Sequence, residues 1–281
     1  MLPLNAVIFV LILHVCSLLD TATATDTKFD FLIFTQHWPI TVCMEWEENR
    51  PTNNCTLPPK ENLWTIHGIW PTKKGTEGPN YCNKTAKFIP NALEPILPDL
   101  ELYWMNIEAN TPLYSLWKHE WVKHGTCAAQ LPVFNSEVKY FRKGLEWIQE
   151  YGMNIILSKS GIEPRQEGYF VTDLYNSIKK ILKKAAYIVC VVDKKTKISL
   201  ISEIRLCFDK NLTLVDCEMV MNDGFYSDVG EKILTNCDSN KMVMYYDEVP
   251  AFTTESRKRT NYLDKLYNTY QLIQQLIWAT I

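Results

Sequence analysis

An excess of charge of either sign is missing from this 281-residue chain: 29 Lys and Arg stand against 32 Asp and Glu, for a net charge of −3. That balance supplies no long-range pull on a polyanion, which argues against a protein that coats nucleic acid through a basic surface. A local cationic pocket is the most it allows. Long apolar runs are also scarce. Val7 to Leu19 is too short to span a bilayer comfortably, and Asp264 and Lys265 interrupt the apolar C-terminal segment, so stable membrane insertion is not expected. There is no internal repeat, no long linker and no repeating βα unit, which favours one main domain and disfavours a doubly wound sheet. With 47% hydrophobic and 22% charged residues the chain can bury a full core, and the composition argues against disorder.

Cysteine, by contrast, is plentiful at nine residues. The Val7–Leu19 run is followed by Thr21-Ala22-Thr23-Ala24, whose alanines make a small-residue cleavage pattern. Residues 1–24 therefore read as a signal peptide, although no Lys or Arg precedes the run. Cleavage after Ala24 removes Cys16 and leaves Cys43, Cys55, Cys82, Cys127, Cys190, Cys207, Cys217 and Cys237. An even number in an exported chain suggests four disulfides. Acceptor sequons at Asn54, Asn83 and Asn211 point the same way and predict N-glycans, whereas Asn110-Thr111-Pro112 is ruled out by its proline.

Phe29 to Phe34 has the length and character of a buried strand. Trp64 to Trp70 is a short apolar segment ending at Pro71, followed by a Gly-rich turn region. Tyr114 to Lys123 has helical composition and meets a stop signal at Gly125. Further helices are expected at Glu137–Tyr151 and Val171–Ala185, strands at Tyr187–Val192 and Met242–Tyr246, and a hairpin from Leu200–Phe208 and Leu212–Met219. Intermixed helices and strands make the fold class α+β. A main domain over 25–250 is followed by a tail, 251–281, in which Tyr262, Leu263, Leu266, Tyr267, Tyr270, Ile273, Leu276 and Ile277 recur at helical spacing. That tail is a helix docked on the body, or a surface helix for an anionic membrane or for a partner that the sequence does not name.

Outside the leader the histidines are His37, His67, His119 and His124, each beside tryptophan. The stretch Trp117-Lys118-His119-Glu120-Trp121-Val122-Lys123-His124 suggests zinc at first sight. A zinc-protease helix places its two His four apart, however, and these are five apart, so no metal or other cofactor is expected. On an α-helix at about 100° per residue, His119 at zero places Lys123 at about 40°, Glu120 at about 100° and His124 at about 140°. Two imidazoles, an ammonium and a carboxylate on one face suit an anionic substrate that needs proton transfer. Cleavage of a phosphodiester by its neighbouring 2'-hydroxyl fits: one imidazole takes a proton, the other gives one, and cations hold the phosphate. Aromatic rings nearby can stack exposed bases of a single strand.

The segments Trp64-Thr65-Ile66-His67-Gly68-Ile69-Trp70-Pro71 and Trp117 to Cys127 resemble the two active-site segments of the ribonuclease T2 family. Phe34-Thr35-Gln36-His37-Trp38-Pro39 with Cys43 resembles its amino-terminal strand. The resemblance implies a disulfide-stapled antiparallel sheet packed with helices, and a secreted endoribonuclease acting on single-stranded RNA through a 2',3'-cyclic phosphate without metal. DNA, which lacks the 2'-hydroxyl, would not be cut. It also implies roles: His124 as base, His67 as acid, His119 on the phosphate, Glu120 and Lys123 stabilising the pentacoordinate phosphorus, Trp70 stacking on one base and Gln36 contacting the other. The pairing it implies is Cys43 with Cys55, Cys82 with Cys127, Cys190 with Cys237, and Cys207 with Cys217. Delivery to an acidic endolysosomal compartment is compatible with it. Thr72 and Leu116 depart from the base-reading residues usual in that family. A secreted binding or signalling glycoprotein that borrows the ribonuclease scaffold is the alternative.

Overall fold

In chain order the elements are β1 (Phe31–His37), α1 (Pro39–Asn49), β2 (Thr65–Thr72), α2 (Leu97–Tyr103), α3 (Ser115–Glu120), α4 (Glu137–Tyr151), α5 (Met153–Ser158), β3 (Arg165–Phe170), α6 (Val171–Leu182), β4 (Tyr187–Val192), β5 (Ser199–Asp209), β6 (Leu214–Val215), β7 (Phe225–Tyr226), β8 (Lys232–Ile233) and β9 (Met242–Tyr245). This computed structural model describes residues 28–250 apart from 51, 77, 222–223 and 227–229, and residue 269 beyond them. The expected leader and, but for that one residue, the expected tail lie outside the described residues.

The main sheet runs β2-β1-β5-β9-β3, with β4 and β6 also paired to β5. Its ladders are antiparallel except β5 against β9, which is parallel, so the sheet is mixed where a purely antiparallel one was expected. Period-two alternation sends Phe34 and Gln36 to one face and Thr35 and His37 to the other. On the first face lies α4, opened by Ser136, whose side chain accepts from the Lys139 N–H. Trp147 of α4 stacks on Phe208 at 4.0 Å between ring centroids and meets Phe34 edge-on. Gln36 belongs to this face too: fully buried, it donates to the Tyr151 carbonyl and accepts from the Met153 N–H.

The hairpin expected after Leu200 forms, but its second arm is only β6, because the chain turns at Cys217 into a short 3-10 helix. Pro71 does not end its strand. Among the described residues β2 pairs only with β1 and so lies at the sheet edge, where a missing N–H costs no ladder bond. Gly125 does not stop its helix either. The helix passes from α3 into π geometry over Trp121–Gly125 and returns to α geometry over Thr126–Ala128. A Cβ on Gly125 would stand 2.3 Å from the Trp121 ring, so the glycine is there for close packing and not as a terminator. Disulfides join Cys43 to Cys55, Cys82 to Cys127, Cys190 to Cys237 and Cys207 to Cys217. Among the described residues no helix is long and apolar enough to cross a membrane.

Candidate active site

His67 owes its direction to a β-bulge. Gln36 of β1 faces Ile66 and Thr35 faces Gly68, which leaves His67 as the extra residue. The insertion resets the alternation, so Ile66 and Ile69 share the buried face while His67 and Trp70 share the other. Their rings lie 5.1 Å apart. The Trp104 indole donates to the His67 carbonyl and steadies the bulge.

Opposite β2 stands the helical rod that begins at α3. Its π-turn changes the expected geometry. In π geometry residues five apart bond and align, and the rings of His119 and His124 come within 6.2 Å. Nitrogens of both and a carboxylate oxygen of Glu120 lie within 4.8 Å of one another. The spacing that argued against a shared metal ligand in an α-helix therefore does not separate these groups in the folded chain; they are the residues that could hold a cation. Tyr81 donates its N–H to the Lys123 carbonyl, and the Cys82–Cys127 bond follows immediately, so the loop after β2 is fastened to the rod at two points.

Sheet and rod meet at Gly68. Trp70 Nε1 donates to Glu120 Oε2 at 3.0 Å, across a gap in which a Cβ on Gly68 would lie 2.0 Å from that oxygen. Glu120 is 1% exposed and its Oε1 has no hydrogen-bond partner among the described residues, with His67 Nε2 at 4.0 Å. Burial pushes the Glu120 carboxyl up to about 7, against the opposing pull of His67, the Trp70 bond and Lys123. At acidic pH it is a neutral acid able to donate.

The two catalytic candidates are set apart. Burial, then repulsion from Lys123, His119 and His67, lowers His124 to about 2. Burial would lower His67 as well, but Glu203, assisted by Glu120, outweighs it and raises the imidazole above 6.5. His119 is exposed and lowered by burial of part of its ring, by Lys123 and by His67.

The residue roll read from the sequence is thus brought together except at one position. His67, His119, Glu120, Lys123, His124 and Trp70 converge; Gln36 lies on the far face of the sheet with its amide already engaged. His37, one residue on, takes the near face, 5.3 Å from His67. It is buried and its Nε2 lacks a partner among the described residues. Burial and His67 lower it to about 3 against the pull of Glu203. A cavity of about 590 Å³ opens from His67 and His119, and His37, Trp46, Glu108 and Leu116 are among its walls. Thr72, buried, spends its hydroxyl on the Trp70 carbonyl. Sequence reading missed Glu203 and Arg205. Their signal was two charges two residues apart, hence on one face, at the centre of a largely apolar strand.

A sequence model of the Ribonuclease T2 family matches residues 29–217. The pig protein named Ribonuclease T2 (Sus scrofa) is 39% identical over 189 residues, 66% of this chain and 88% of its own. Ribonuclease Oy of Magallana gigas is 38% identical over 192 residues, 67% of this chain and 87% of its own. The crystal structure of human RNase T2 superposes with a TM-score of 0.61 at 32% identity, covering 78% of this chain and 99% of that one.

Proposed function

Since the chain belongs to the ribonuclease T2 family and is an endoribonuclease of that type, we propose that it cleaves single-stranded RNA by metal-independent transesterification divided between His124 and His67. The observation that carries this reading is the convergence of two imidazoles on Glu120, His124 from the rod and His67 from the bulge; burial beside Lys123 favours the free base at His124, and the bond to Glu203 favours the protonated acid at His67.

His124 takes the 2'-hydroxyl proton, the 2'-oxygen attacks phosphorus, and the 5'-oxygen leaves with a proton from His67. The products are a 2',3'-cyclic phosphate and a 5'-hydroxyl end. His119 and Lys123 hold the phosphate oxygens. Glu120, neutral in acid, donates to an equatorial oxygen where an ionised carboxylate would repel it. Hydrolysis of the cyclic product reverses the two proton transfers. The ring of Trp70, 5.5 Å from that of His124, receives the base of the attacking nucleotide. The cavity beside His67 takes the base on the leaving side, with His37 in the place first given to Gln36.

Four disulfides suit an exported protein, secreted or held in an acidic endolysosomal compartment. Asn54, Asn83 and Asn211 are all exposed and open to glycosylation. Digestion of a mixed-sequence RNA oligomer at pH 5 tests the reaction: ends carrying 2',3'-cyclic phosphate are expected, and 5'-phosphate ends would overturn it.

A further inference from the structure

Glu203 and Arg205 place two opposite charges within the sheet. They pair across β1 with His37 and Thr35, so they point to the face that carries His67 and Trp70. The Glu203 side chain is only 11% exposed, and both its oxygens are occupied. Oε1 lies 2.6 Å from His67 Nδ1. Oε2 accepts from Arg205 Nε at 2.9 Å and Nη2 at 2.6 Å. The guanidinium in turn lies 5.1 Å from the centre of the Trp70 ring and 5.8 Å from that of Tyr187. As packing alone this is a poor use of a sheet interior, since an ion pair taken out of water is no more stabilising than apolar side chains of the same volume.

Resting on the reading that His67 is the acid, we propose that Glu203 is the positioning residue of that acid: it holds the Nδ1–H so that Nε2 points at the leaving 5'-oxygen, and Arg205 holds Glu203. With Nδ1 tied down, Nε2 is the free nitrogen, and it faces Glu120 Oε1 across 4.0 Å. In the leaving step the Nε2 proton passes to the 5'-oxygen as the P–O bond breaks. The Nδ1–H remains on His67, donated to Glu203, which takes no proton. The other charged or titratable groups facing His67 are Arg205 on β5, His37 on β1, Glu108 in the loop before α3, and Glu120, His119 and His124 on the rod. Of these groups, only Glu203 is hydrogen-bonded to the ring.

A positioning residue for the acid matters only when the leaving group needs a proton. The test compares a dinucleoside phosphate, whose 5'-alkoxide must be protonated, with a nucleoside 3'-(4-nitrophenyl phosphate), whose phenolate leaves without one. Glu203→Gln is expected to lower kcat on the dinucleotide by about 10- to 100-fold with KM little changed. On the aryl ester the loss should stay within about threefold. The alkaline limb of the dinucleotide pH profile should move to lower pH. His67→Ala should lose heavily on the dinucleotide and be spared on the aryl ester. If His67→Ala discriminates between the substrates and Glu203→Gln does not, the positioning role is overturned. If His67→Ala fails equally on both, the acid assignment beneath it goes instead. Should Glu203→Gln not fold, Arg205→Lys is expected to show the same discrimination at smaller size. In the unaltered protein, imidazole nitrogen NMR should place a hydrogen-bonded proton on Nδ1 of His67, and an unprotonated Nδ1 at pH 5 would overturn the proposal.

Discussion

The helical rod and the bulged sheet edge each contribute one buried or half-buried imidazole, and they set it in opposite directions. On the rod, His124 is 7% exposed, and burial, joined by Lys123 and then His119, drives its proton off. On the sheet, the half-buried His67 is hydrogen-bonded to the Glu203 carboxylate, whose attraction outweighs the effect of burial, so its proton is retained. Burial acts in the same sense on both. Burial alone lowers His124, and its neighbours add to the effect, whereas at His67 the Glu203 carboxylate reverses it; that difference is what separates a base from an acid within one site.

The heaviest blow to the rod side is His124→Ala. Loss of the base should lower kcat/KM by about 10⁴-fold, and on the dinucleotide and the aryl ester alike, since both need the 2'-proton removed. Unchanged circular dichroism would confirm that the fold survives, and normal turnover would sink the base assignment. Gly68→Ala attacks the seam between the halves by driving a methyl group against Glu120 and Trp70. It should cost about 10²-fold, as should Glu120→Ala, while Glu120→Gln, which still donates, should lose much less at pH 5. A Gln variant as inactive as Ala would remove the neutral-donor role.

Acidity sharpens the comparison on the sheet side. Activity should decline as pH rises through the raised value of His67, because the acid form is lost while His124 stays a base. A maximum well above pH 8 would break the scheme. The ion pair also has a stability window. Glu203 is held at about 2 against 4.5, so its share is present above 4.5 and lost as pH falls toward 2. His67 is raised from 6.5, so its share is present below 6.5 and lost as pH rises through the folded value. The melting-temperature difference between the unaltered protein and Glu203→Gln should therefore be largest between 4.5 and 6.5. A difference that is flat from pH 3 to pH 9 would contradict the pair. Opening Cys82–Cys127 by a double Ser substitution should destabilise by about 2–4 kcal/mol, read by denaturant unfolding. Smallest of all is excess chelator, which should leave turnover unchanged; a loss restored by added zinc would return the His119, Glu120 and His124 cluster to the metal reading.

Much of this was legible along the chain. Strand β4 and helix α4 were read at their observed limits, because their apolar patterns have the right period and clear edges. The two His segments pointed to the chemistry through residue types alone. What escaped was local geometry that breaks a period. The bulge at His67 adds one residue to a strand, and the π-turn at Trp121 adds one to a helical turn; each re-registers the side chains around it while leaving composition untouched. Strand parity decided between Gln36 and His37, adjacent residues that face opposite sides of the sheet.

The sequence by itself therefore determined which groups could act: two imidazoles able to titrate near neutrality, an ammonium, a carboxyl group and an aromatic shelf. Only the tertiary structure decided what each does. Glu203 lies 136 residues from His67 in the chain and 2.6 Å from it in space. A proton's affinity for an imidazole depends on burial and on the charges within a few ångströms, and those are properties of the fold, not of chain order.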